Sequence, residues 1–281
     1  MSDIANKVET LMEAMPYLQK YQGKIIVIKY GGNAMINEEL KDAVMHDVVL
    51  LKLLGMKPVL SHGGGPGINK MLEKLDIPVE FIEGLRYTSA DIMRVVEMVL
   101  VGQVNTELVG FINKLGGKAV GLSGVSGDIY HCHQRDEVHG YVGDIDYVDP
   151  KPIFAMLDAG YIPVIAPVGT DGQGHTFNIN GDTAAGKLAS ALGAEKLVIL
   201  TDIEGLCNDI KIRDVISYLN IEDVKALKDK GTIAGGMIPK VDCCVEAVRE
   251  GVRRANIQDG RVAHSILIEL FSDNGVGTMF Y

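Results

Sequence analysis

The apolar residues of this chain are spaced in two patterns, one typical of buried strands and the other of helices. Residues 24–30 form a short apolar run that ends at two glycines, which predicts a buried parallel strand. Residues 38–55 carry apolar side chains at helical spacing and stop at a glycine. A second predicted strand, 58–62, is followed at once by a glycine-rich turn. This order predicts right-handed βαβ units on a largely parallel sheet.

The same alternation of strands and helices continues along the rest of the chain. Further helices are predicted over 65–75, 89–114, 150–159, 182–192, 221–229 and 237–251. Further strands are predicted over 118–122, 162–166, 196–201 and 262–268, with a β-ribbon over about 129–148. The glycine-rich loop 169–174 is a soft boundary at which two lobes could meet. The pattern therefore predicts the α/β class.

The first segment, Ser2 to Tyr21, has the spacing of a helix that precedes the first strand. Its apolar stripe consists of Val8, Leu11, Met12, Met15 and Leu18. Pro16 lies inside the stripe and should kink or interrupt the helix. Because the predicted sheet begins only after this helix, we expect the stripe to lie on its own domain or on another subunit.

The composition limits the partners of this protein. Among 281 residues, 27 Lys and Arg stand against 37 Asp and Glu, which gives a formal net charge of −10. So acidic a surface argues against nucleic acid and anionic membranes as partners. Four cysteines without a C-x-x-C spacing favour free thiols in a reducing compartment. No apolar run approaches the length of a membrane helix and no secretory signal is evident, so we expect a cytoplasmic protein.

Two glycine clusters follow successive predicted strands. They are Lys29-Tyr30-Gly31-Gly32 and His62-Gly63-Gly64-Gly65-Pro66. Ligands of open α/β sheets bind at the carboxyl ends of the strands, and backbone N–H groups of successive glycines can approach an anion closely. A pair of tight turns without a ligand is the alternative. Two clusters, with a lysine leading into one of them, favour a phosphate site.

Three other motifs carry weaker signals. Gly181 to Lys187 has the spacing of a P-loop, but Leu188 stands where a hydroxyl must bind magnesium, which favours a plain helix. A histidine-rich stretch superficially resembles a metal site, although a surface ribbon is the favoured interpretation. Its members are His131, Cys132, His133 and His139. The segment 123–127 lacks the Gly-x-Ser-x-Gly elbow of a hydrolase and is interpreted as a glycine-rich turn.

A few charged and amide residues stand at the predicted loops. Arg86, before the long helix, could form a surface ion pair, or its guanidinium could bind a substrate carboxylate through two N–H groups. Lys240 follows a glycine turn that opens a helix. Asn178 and Asn180 alternate along the chain, so both side chains should point to the same face. Asp182 lies two residues further on.

Six segments, taken in order, resemble the acetylglutamate kinases of the amino-acid kinase family. They are Lys29-Tyr30-Gly31-Gly32, His62 to Pro66, Gly84-Leu85-Arg86-Tyr87-Thr88, Asn178-Ile179-Asn180-Gly181-Asp182, Thr201-Asp202-Ile203-Glu204-Gly205 and Gly235-Gly236-Met237-Ile238-Pro239-Lys240. The resemblance runs from about residue 24 to residue 281. The Gly-Leu-Arg-Tyr-Thr segment separates the chain from carbamate, uridylate and glutamate-5 kinases, which lack it. Cys207-Asn208 departs from the pattern of many relatives, which leaves the nucleotide contacts of that loop open.

The resemblance implies a three-layer αβα sandwich on a mainly parallel open sheet, in two lobes. Residues 24–172 would form the acetylglutamate-binding lobe and residues 173–281 the ATP-binding lobe, with residues 1–23 as an oligomerisation helix. The implied activity is ATP-dependent phosphorylation of the γ-carboxylate of N-acetyl-L-glutamate to N-acetylglutamyl 5-phosphate, a step of arginine biosynthesis. The implied cofactors are ATP and Mg²⁺, and Mg²⁺ would reach the site with ATP rather than on protein side chains.

The resemblance also implies roles for individual residues. Lys29 and Lys240 would stabilise the transferring phosphoryl group, and Asp182 would orient both lysines. The implied substrate contacts are Gly64, Gly65, Arg86 and Asn178. The implied nucleotide contacts are Gly31, Gly32, Thr201, Asp202, Gly205, Ile233, Gly235, Gly236 and Met237.

Arginine-sensitive members of the family carry an extra N-terminal helix, and the resemblance extends to this feature. It implies feedback inhibition by arginine and a hexamer, a trimer of dimers, in which helices swap between dimers and bury the stripe. The implied effector site lies beside the base of the helix, at Tyr21, Glu269, Gly275 and Gly277. A helix that merely caps the N-terminal lobe of a dimer is the alternative.

Two other functions stay open beside the kinase. One is a non-catalytic regulator that binds an amino acid on the same fold, against which the presence of Lys29, Lys240 and Asp182 speaks. The other is a kinase of a different acidic acceptor, such as a carrier-linked aminoadipate. Titration of acetylglutamate, glutamate and aspartate would separate the three functions.

Overall fold

The computed structural model describes residues 2–209, 214–273 and 275–281, in which strands and helices alternate as the apolar pattern predicts. The strands are β1 Ile25–Tyr30, β2 Lys57–His62, β3 Phe81–Ile82, β4 Leu85–Arg86, β5 Ala119–Ser123, β6 Tyr130–Gln134, β7 Gly143–Val148, β8 Ile162–Ala166, β9 Val168–Thr170, β10 Thr176–Asn178, β11 Lys196–Thr201, β12 Cys207–Asp209, β13 Asp214–Val215, β14 Tyr218–Leu219, β15 Arg254–Asp259 and β16 Thr278–Phe280. The helices are α1 Ser2–Tyr21, α2 Glu38–Leu53, α3 Gly65–Lys74, α4 Ala90–Glu97, α5 Thr106–Lys114, α6 Lys151–Asp158, α7 Gly181–Ala191, α8 Val224–Asp229, α9 Ile238–Arg249 and α10 Ser265–Phe271. A π-helical segment, Met98–Asn105, joins α4 to α5.

The main sheet, within those described ranges, has eight strands in the order β14-β16-β15-β11-β1-β2-β8-β5. The strands from β15 to β5 are parallel to one another. At the other edge, β16 runs antiparallel to β15 and pairs in parallel with β14. Because β1, β2 and β11 run in the same direction, their carboxyl ends meet at one edge of the sheet, which is where ligands of such sheets bind.

Helices cover both faces of the main sheet, and the alternation along β1 shows how. Ile26, Ile28 and Tyr30 are fully buried in a core shared with α2, α5 and α10. Val27 is buried in the core on the opposite face, which α7 and α9 complete. Because both faces of β1 are covered, the strand is uniformly apolar up to Lys29. This arrangement confirms the predicted α/β class with a helix layer on each side of the sheet.

A smaller sheet of four strands, in the order β10-β9-β6-β7, contains the predicted ribbon as its β6–β7 hairpin. Bridges join Thr88, two residues after Arg86 of β4, to Gly140 between β6 and β7, and Val142 to Asn178 of β10. The predicted lobe boundary at residue 172 falls between β9 and β10, while the main sheet continues from one predicted lobe into the other. The division into lobes stays a prediction.

One predicted strand is wrong. Residues 262–268 fall in a turn and in helix α10, whereas the strand of this region is β15. The sequence pattern missed β15 because Asn256 and Gln258 are polar, yet both are buried within the main sheet. Gln258 Nε2 donates to Ser265 Oγ at 3.1 Å, whereas Gln258 Oε1 and Asn256 Oδ1 are buried without a hydrogen-bond partner among the described residues.

Two further expectations from the sequence need correction. Helix α1 runs continuously through Pro16, so the proline does not interrupt it. The helical stretch Ala90–Lys114, 25 residues long, is by length and composition apolar enough to cross a membrane, contrary to the expectation that no such run exists. Part of it packs against α3, β5 and β8 in this fold.

Candidate active site

Two lysines from different parts of the chain share one carboxylate at the carboxyl edge of the main sheet. Lys29 Nζ lies 2.9 Å from Asp182 Oδ1, and Lys240 Nζ lies 2.6 Å from Asp182 Oδ2. Lys29 is on β1, whereas Asp182 and Lys240 are in the first turns of α7 and α9. The structure thus brings together the three residues predicted to be catalytic.

The first turn of α7 is fixed by its own cap. Asn180 Oδ1 accepts hydrogen bonds from the backbone N–H groups of Asp182 and Thr183, at 2.9 and 3.1 Å. Such a cap satisfies two donors that the helix leaves unpaired. Asn180 therefore sets the position from which Asp182 contacts both lysines.

The carboxylate of Asp182 is ionised in spite of its burial. Burial raises the pKa of Asp182, but the ammonium groups of Lys29 and Lys240 outweigh this effect and lower that pKa to about 2. Two lysines and one carboxylate leave one positive charge in excess. The centre is therefore suited to stabilise an additional anion.

A cavity of about 210 Å³ opens beside this centre. Six of the predicted catalytic and substrate-binding residues line it, namely Lys29, Gly64, Gly65, Arg86, Asn178 and Asp182. Lys240 contacts Asp182 without lining the cavity itself. Asn178 and Asn180 both line it, but so does Ile179 between them, so the shared face of the two side chains stays a prediction.

The glycine turn after β2 forms one wall of the cavity and leads into α3. Pro66 occupies the first turn of α3, where its missing N–H costs no hydrogen bond. The positive end of this helix and the N–H groups of the turn are suited to an anion. Gly31, on the turn after β1, packs against Lys29, whose Nζ lies 2.6 Å from where a Cβ of Gly31 would be.

Arg86 lines the same cavity as Lys29. Its Nη2 donates to Asn69 Oδ1 at 2.5 Å, and its guanidinium carbon lies 4.9 Å from the ring centre of Phe81. Its Nη1 is buried without a hydrogen-bond partner in the protein. Burial lowers the pKa of Arg86. Because the ordinary pKa of a guanidinium is far above neutral pH, the group stays charged. A buried cation with an unused donor is suited to a carboxylate.

The residues predicted to contact the nucleotide lie around the same edge of the sheet but do not line this cavity. Thr201 and Asp202 stand at the end of β11, beside β1, and the Asp202 carboxylate packs within 2.6 Å of where a Cβ of Gly32 would be. Gly205 lies further along this loop. Ile233 is buried, and Gly235, Gly236 and Met237 form the 3-10 turn that opens α9. Cys207 begins β12, and the side chain of Asn208 is outside the described part of the chain. Nucleotide binding by these residues stays a prediction.

A second cavity, of about 130 Å³, lies at the base of α1. Tyr21, Glu269 and Gly275 of the predicted effector site line it, together with Lys20 and Arg254. Gly277 approaches the backbone of β15 instead, and Asn274 of the same loop lies outside the described residues. Glu269 is ion-paired with Lys196 and accepts a hydrogen bond from Val276 N at 2.7 Å. Arginine binding here stays a prediction.

The histidines of the ribbon each contact a different aspartate. The pairs are His131 with Asp128, His133 with Asp146 and His139 with Asp136. Within residues 2–209, 214–273 and 275–281, no group of three or more His, Cys, Asp or Glu could hold a metal ion. The ribbon is thus held by separate polar pairs.

The sequence did not single out several residues that complete the cavity. Phe81 and Asn69 contact Arg86, and Val142 lines the wall beside Asn178. Phe81 gives no local signal, because it is an aromatic residue in a two-residue strand, more than half exposed. Asn69 lies one turn after the glycine cluster, on the face of α3 that such a cluster places near a ligand, and this spacing could have identified it.

The chain as a whole is similar to known proteins. Residues 24–259 match the Amino acid kinase family. The acetylglutamate kinase of Heliobacterium modesticaldum is 51% identical over 286 residues, with 97% of each chain covered. The acetylglutamate kinase of Thermoanaerobacter pseudethanolicus is 50% identical over 277 residues, which cover 97% of this chain and 92% of the relative.

A solved structure shares the fold. The N-acetylglutamate synthase of Neisseria gonorrhoeae, complexed with coenzyme A and N-acetyl-glutamate, superposes with a TM-score of 0.86 at 26% sequence identity. The match covers 97% of this chain and 63% of the synthase chain, so the similarity concerns one part of that longer protein.

Proposed function

This chain belongs to the amino acid kinase family, and we propose that it phosphorylates the γ-carboxylate of N-acetyl-L-glutamate with ATP. The product is N-acetylglutamyl 5-phosphate, an intermediate of arginine biosynthesis. Relatives that are named acetylglutamate kinase share about half of its residues over nearly the full length. The observation that carries the proposal is the Lys29–Asp182–Lys240 centre beside a cavity that Arg86 also lines.

The chemistry needs no general base. A γ-carboxylate has a pKa of about 4.3, so it is already ionised and nucleophilic at neutral pH. One of its oxygens attacks the γ-phosphorus of ATP, the bond to the bridging oxygen breaks, and ADP leaves with that electron pair. The obstacle is the repulsion between two anions, and the excess positive charge of Lys29 and Lys240 offsets it.

Each end of the acceptor has a place in the cavity. The unused Nη1 of Arg86 binds the α-carboxylate, and Asn178 contacts the neighbouring polar groups. The backbone N–H groups of Gly64 and Gly65 donate to the reacting carboxylate and the moving phosphoryl group. The acceptor lobe is residues 24–172 and the ATP lobe is residues 173–281.

The nucleotide is held at the carboxyl end of β11. Thr201, Asp202 and Gly205 contact it from one loop. The second loop contributes Ile233, Gly235, Gly236 and Met237, and Gly31 and Gly32 lie under the phosphates.

Mg²⁺ enters with ATP. Each oxygen of Asp182 contacts one lysine ammonium group. Asp182 is therefore suited to orient the two lysines rather than to bind a metal ion. The β- and γ-phosphates would hold the ion, and its charge would neutralise part of theirs.

A hydroxylamine assay tests the activity. The acyl phosphate formed from N-acetyl-L-glutamate, ATP and Mg²⁺ should be trapped as a hydroxamate, with little product from free glutamate. Free glutamate lacks the acetyl group and carries an ammonium that the cavity, lined by Lys29 and Arg86, disfavours. Equal rates with both acceptors would refute the assignment. Faster turnover of a carrier-linked aminoadipate would instead favour the sibling kinase.

Feedback inhibition by arginine is a further part of the proposal. Val8, Leu11 and Met12 of α1 are more than half exposed, and a swap of such helices between dimers buries them in a hexamer. Arginine would occupy the cavity at the base of α1, beside Tyr21, Glu269, Gly275 and Gly277, and disfavour lobe closure. Deletion of residues 1–20 should give active dimers that arginine no longer inhibits. A deleted protein that is still hexameric and fully arginine-sensitive would contradict this.

The enzyme acts in the cytoplasm on small anions. Its formal net charge of −10 disfavours nucleic acid and anionic membranes as partners. Fractionation of the source cells with a marker of each compartment tests the location.

A further inference from the structure

His62, the last residue of β2, is fully buried directly behind the glycine turn. Its Nδ1 lies 2.8 Å from the carbonyl oxygen of Gly63, and its Nε2 lies 3.0 Å from Asn105 Nδ2. A carbonyl oxygen can only accept, so Nδ1 carries the proton and Nε2 accepts from the Asn105 amide. Burial lowers the pKa of His62 to about 4, which keeps the ring neutral and in this tautomer at neutral pH.

Two backbone carbonyl oxygens also accept hydrogen bonds from the amide nitrogen of Asn105. Its Nδ2 also lies 2.9 Å from the carbonyl oxygen of Val164 and 3.3 Å from that of Leu122. Its Oδ1 packs against Gly121, where any Cβ would overlap it. These contacts orient the amide so that its nitrogen, and not its oxygen, faces His62, and the two N–H groups are shared among three acceptors.

The glycine turn is also supported by packing from the same segment. Asn105 is the last residue of the π-helical segment Met98–Asn105, which includes Leu100 and Val104. A Cβ on Gly64 would overlap Leu100 Cδ2 and would lie 3.6 Å from Val104 Cγ2. π-Helical turns are rare and often occur at functional sites, because the wider turn changes which side chains face a neighbour. Here the segment presents both Asn105 and Leu100 to the turn.

The peptide between Gly63 and Gly64 transmits this support to the cavity. In a planar trans peptide the carbonyl of one residue and the N–H of the next point in opposite directions. His62 holds the Gly63 carbonyl, so the Gly64 N–H points away from His62. Gly63, Gly64 and Gly65 all line the cavity beside Lys29.

We propose that His62 and Asn105 are positioning residues, which hold the Gly63–Gly64 peptide so that the Gly64 N–H meets the negative charge that develops during transfer. This inference rests on the proposed function. Neither side chain lines the cavity, so both act through the backbone of the turn. An N–H that is fixed before the reaction stabilises the transition state without the cost of reorientation.

Variants of the full-length protein test this. Asn105→Leu has a similar shape but lacks the donor, and should lower kcat about 10–100-fold with a much smaller change in KM for either substrate. His62→Asn keeps an amide N–H near the position of Nδ1, so it should retain more activity than His62→Leu. Asn113→Ala is the matched control, because Asn113 in α5 accepts from Ala119 N at 2.8 Å, on another part of the same helix.

The outcomes separate positioning from folding. A fall in kcat with Asn105→Leu but not with Asn113→Ala supports the inference, even if His62→Leu does not fold. Equal loss of kcat in Asn105→Leu and Asn113→Ala, or a loss that follows their melting temperatures, would overturn it. Equal activity of His62→Asn and His62→Leu, when both fold, would overturn it too.

A second measurement does not depend on turnover. The backbone amide resonance of Gly64 should shift in Asn105→Leu and stay in place in Asn113→Ala, in protein without substrates. An unchanged resonance in Asn105→Leu would overturn the inference. If the wild-type protein gives no hydroxamate with N-acetyl-L-glutamate, the proposed function fails, while this measurement still decides the positioning of Gly64.

Discussion

Two buried groups of lysine and carboxylate in this molecule differ in how many lysines they contain. At the candidate active site, Asp182 is shared by Lys29 and Lys240, and the group borders a cavity. At the base of α1, Glu269 pairs with Lys196 alone, and each side chain is only 1% exposed. The first group has one positive charge in excess, whereas the Lys196–Glu269 pair by itself is neutral, with Lys20 and Arg254 lining the same cavity.

The difference shows how the same residue types serve two purposes. Glu269 also accepts from Val276 N, so it links β11, α10 and the loop before β16. A neutral closed pair holds parts of the fold together, and a ligand in the neighbouring cavity would meet a Glu269 that is already paired with Lys196. An extra lysine beside the carboxylate of the first group turns the same contact into a site for an anion.

Glu269→Gln should show the largest effect on stability. The isosteric change removes the negative charge and leaves Lys196 buried without a counter-ion, which should cost about 3–5 kcal/mol of unfolding free energy. Urea denaturation measures the loss. The double variant Lys196→Met, Glu269→Leu is the control and should recover much of the stability, because neither charge remains. A double variant as unstable as Glu269→Gln would contradict the assignment of the loss to an unpaired charge.

Lys29→Ala and Lys240→Ala should each lower kcat by about 10²–10³ with a much smaller effect on substrate binding. Both ammonium groups act where charge is redistributed during transfer. Steady-state kinetics of the hydroxamate assay, together with melting temperatures, measures this. If these variants raise KM and leave kcat intact, the roles of binding and catalysis have been exchanged.

Arg86→Ala should act on binding instead. It removes a charged hydrogen-bond donor from the acceptor, so KM for N-acetyl-L-glutamate should rise about 10–100-fold. Phe81→Leu, which removes only the ring packed on the guanidinium, is the matched control and should raise KM less. A fall in kcat without a rise in KM would place Arg86 with the lysines.

The smallest expected effect is on acid stability. The pKa of Asp182 is about 2 in the folded protein and 3.8 in the unfolded chain, so its ionisation stabilises the fold above pH 3.8. This stabilisation is lost as the pH falls through 2. The unfolding free energy of the wild type should therefore fall more steeply over this range than that of Asp182→Asn. Parallel curves would show that the two lysines do not lower the pKa of Asp182.

Much of the fold and the centre of the site could be predicted because their signals are local. Strand β1 is a continuous apolar run, and the glycine turn follows β2 directly in the sequence. Strand β15 was missed because its buried Asn256 and Gln258 look like surface residues. The apolar residues of α10 look equally like a strand, since seven residues carry too little periodicity to decide.

Other features depend on contacts that no local pattern contains. The partner of Glu269, Lys196, is 73 residues away in the sequence, so no local pattern contains this ion pair. The π-helical segment matches α-helical spacing, and its wider turn follows from packing against the glycine turn and Gly121. Phe81 and Asn69 were missed in the same way, because their role depends on where Arg86 lies.

The pairing of β1 with β11 has a mechanical consequence. The two strands belong to different predicted lobes, yet they are paired in parallel from Ile26–Lys196 to Lys29–Ile199. Neighbouring strands already twist against each other by about 20–25°, so a further small rotation keeps their hydrogen bonds, whereas separation of β1 from β11 breaks them. Movement of the two predicted lobes against each other would therefore be torsion of a continuous sheet. Such a sheet would act as an elastic element, which would resist the rotation and afterwards restore the resting twist.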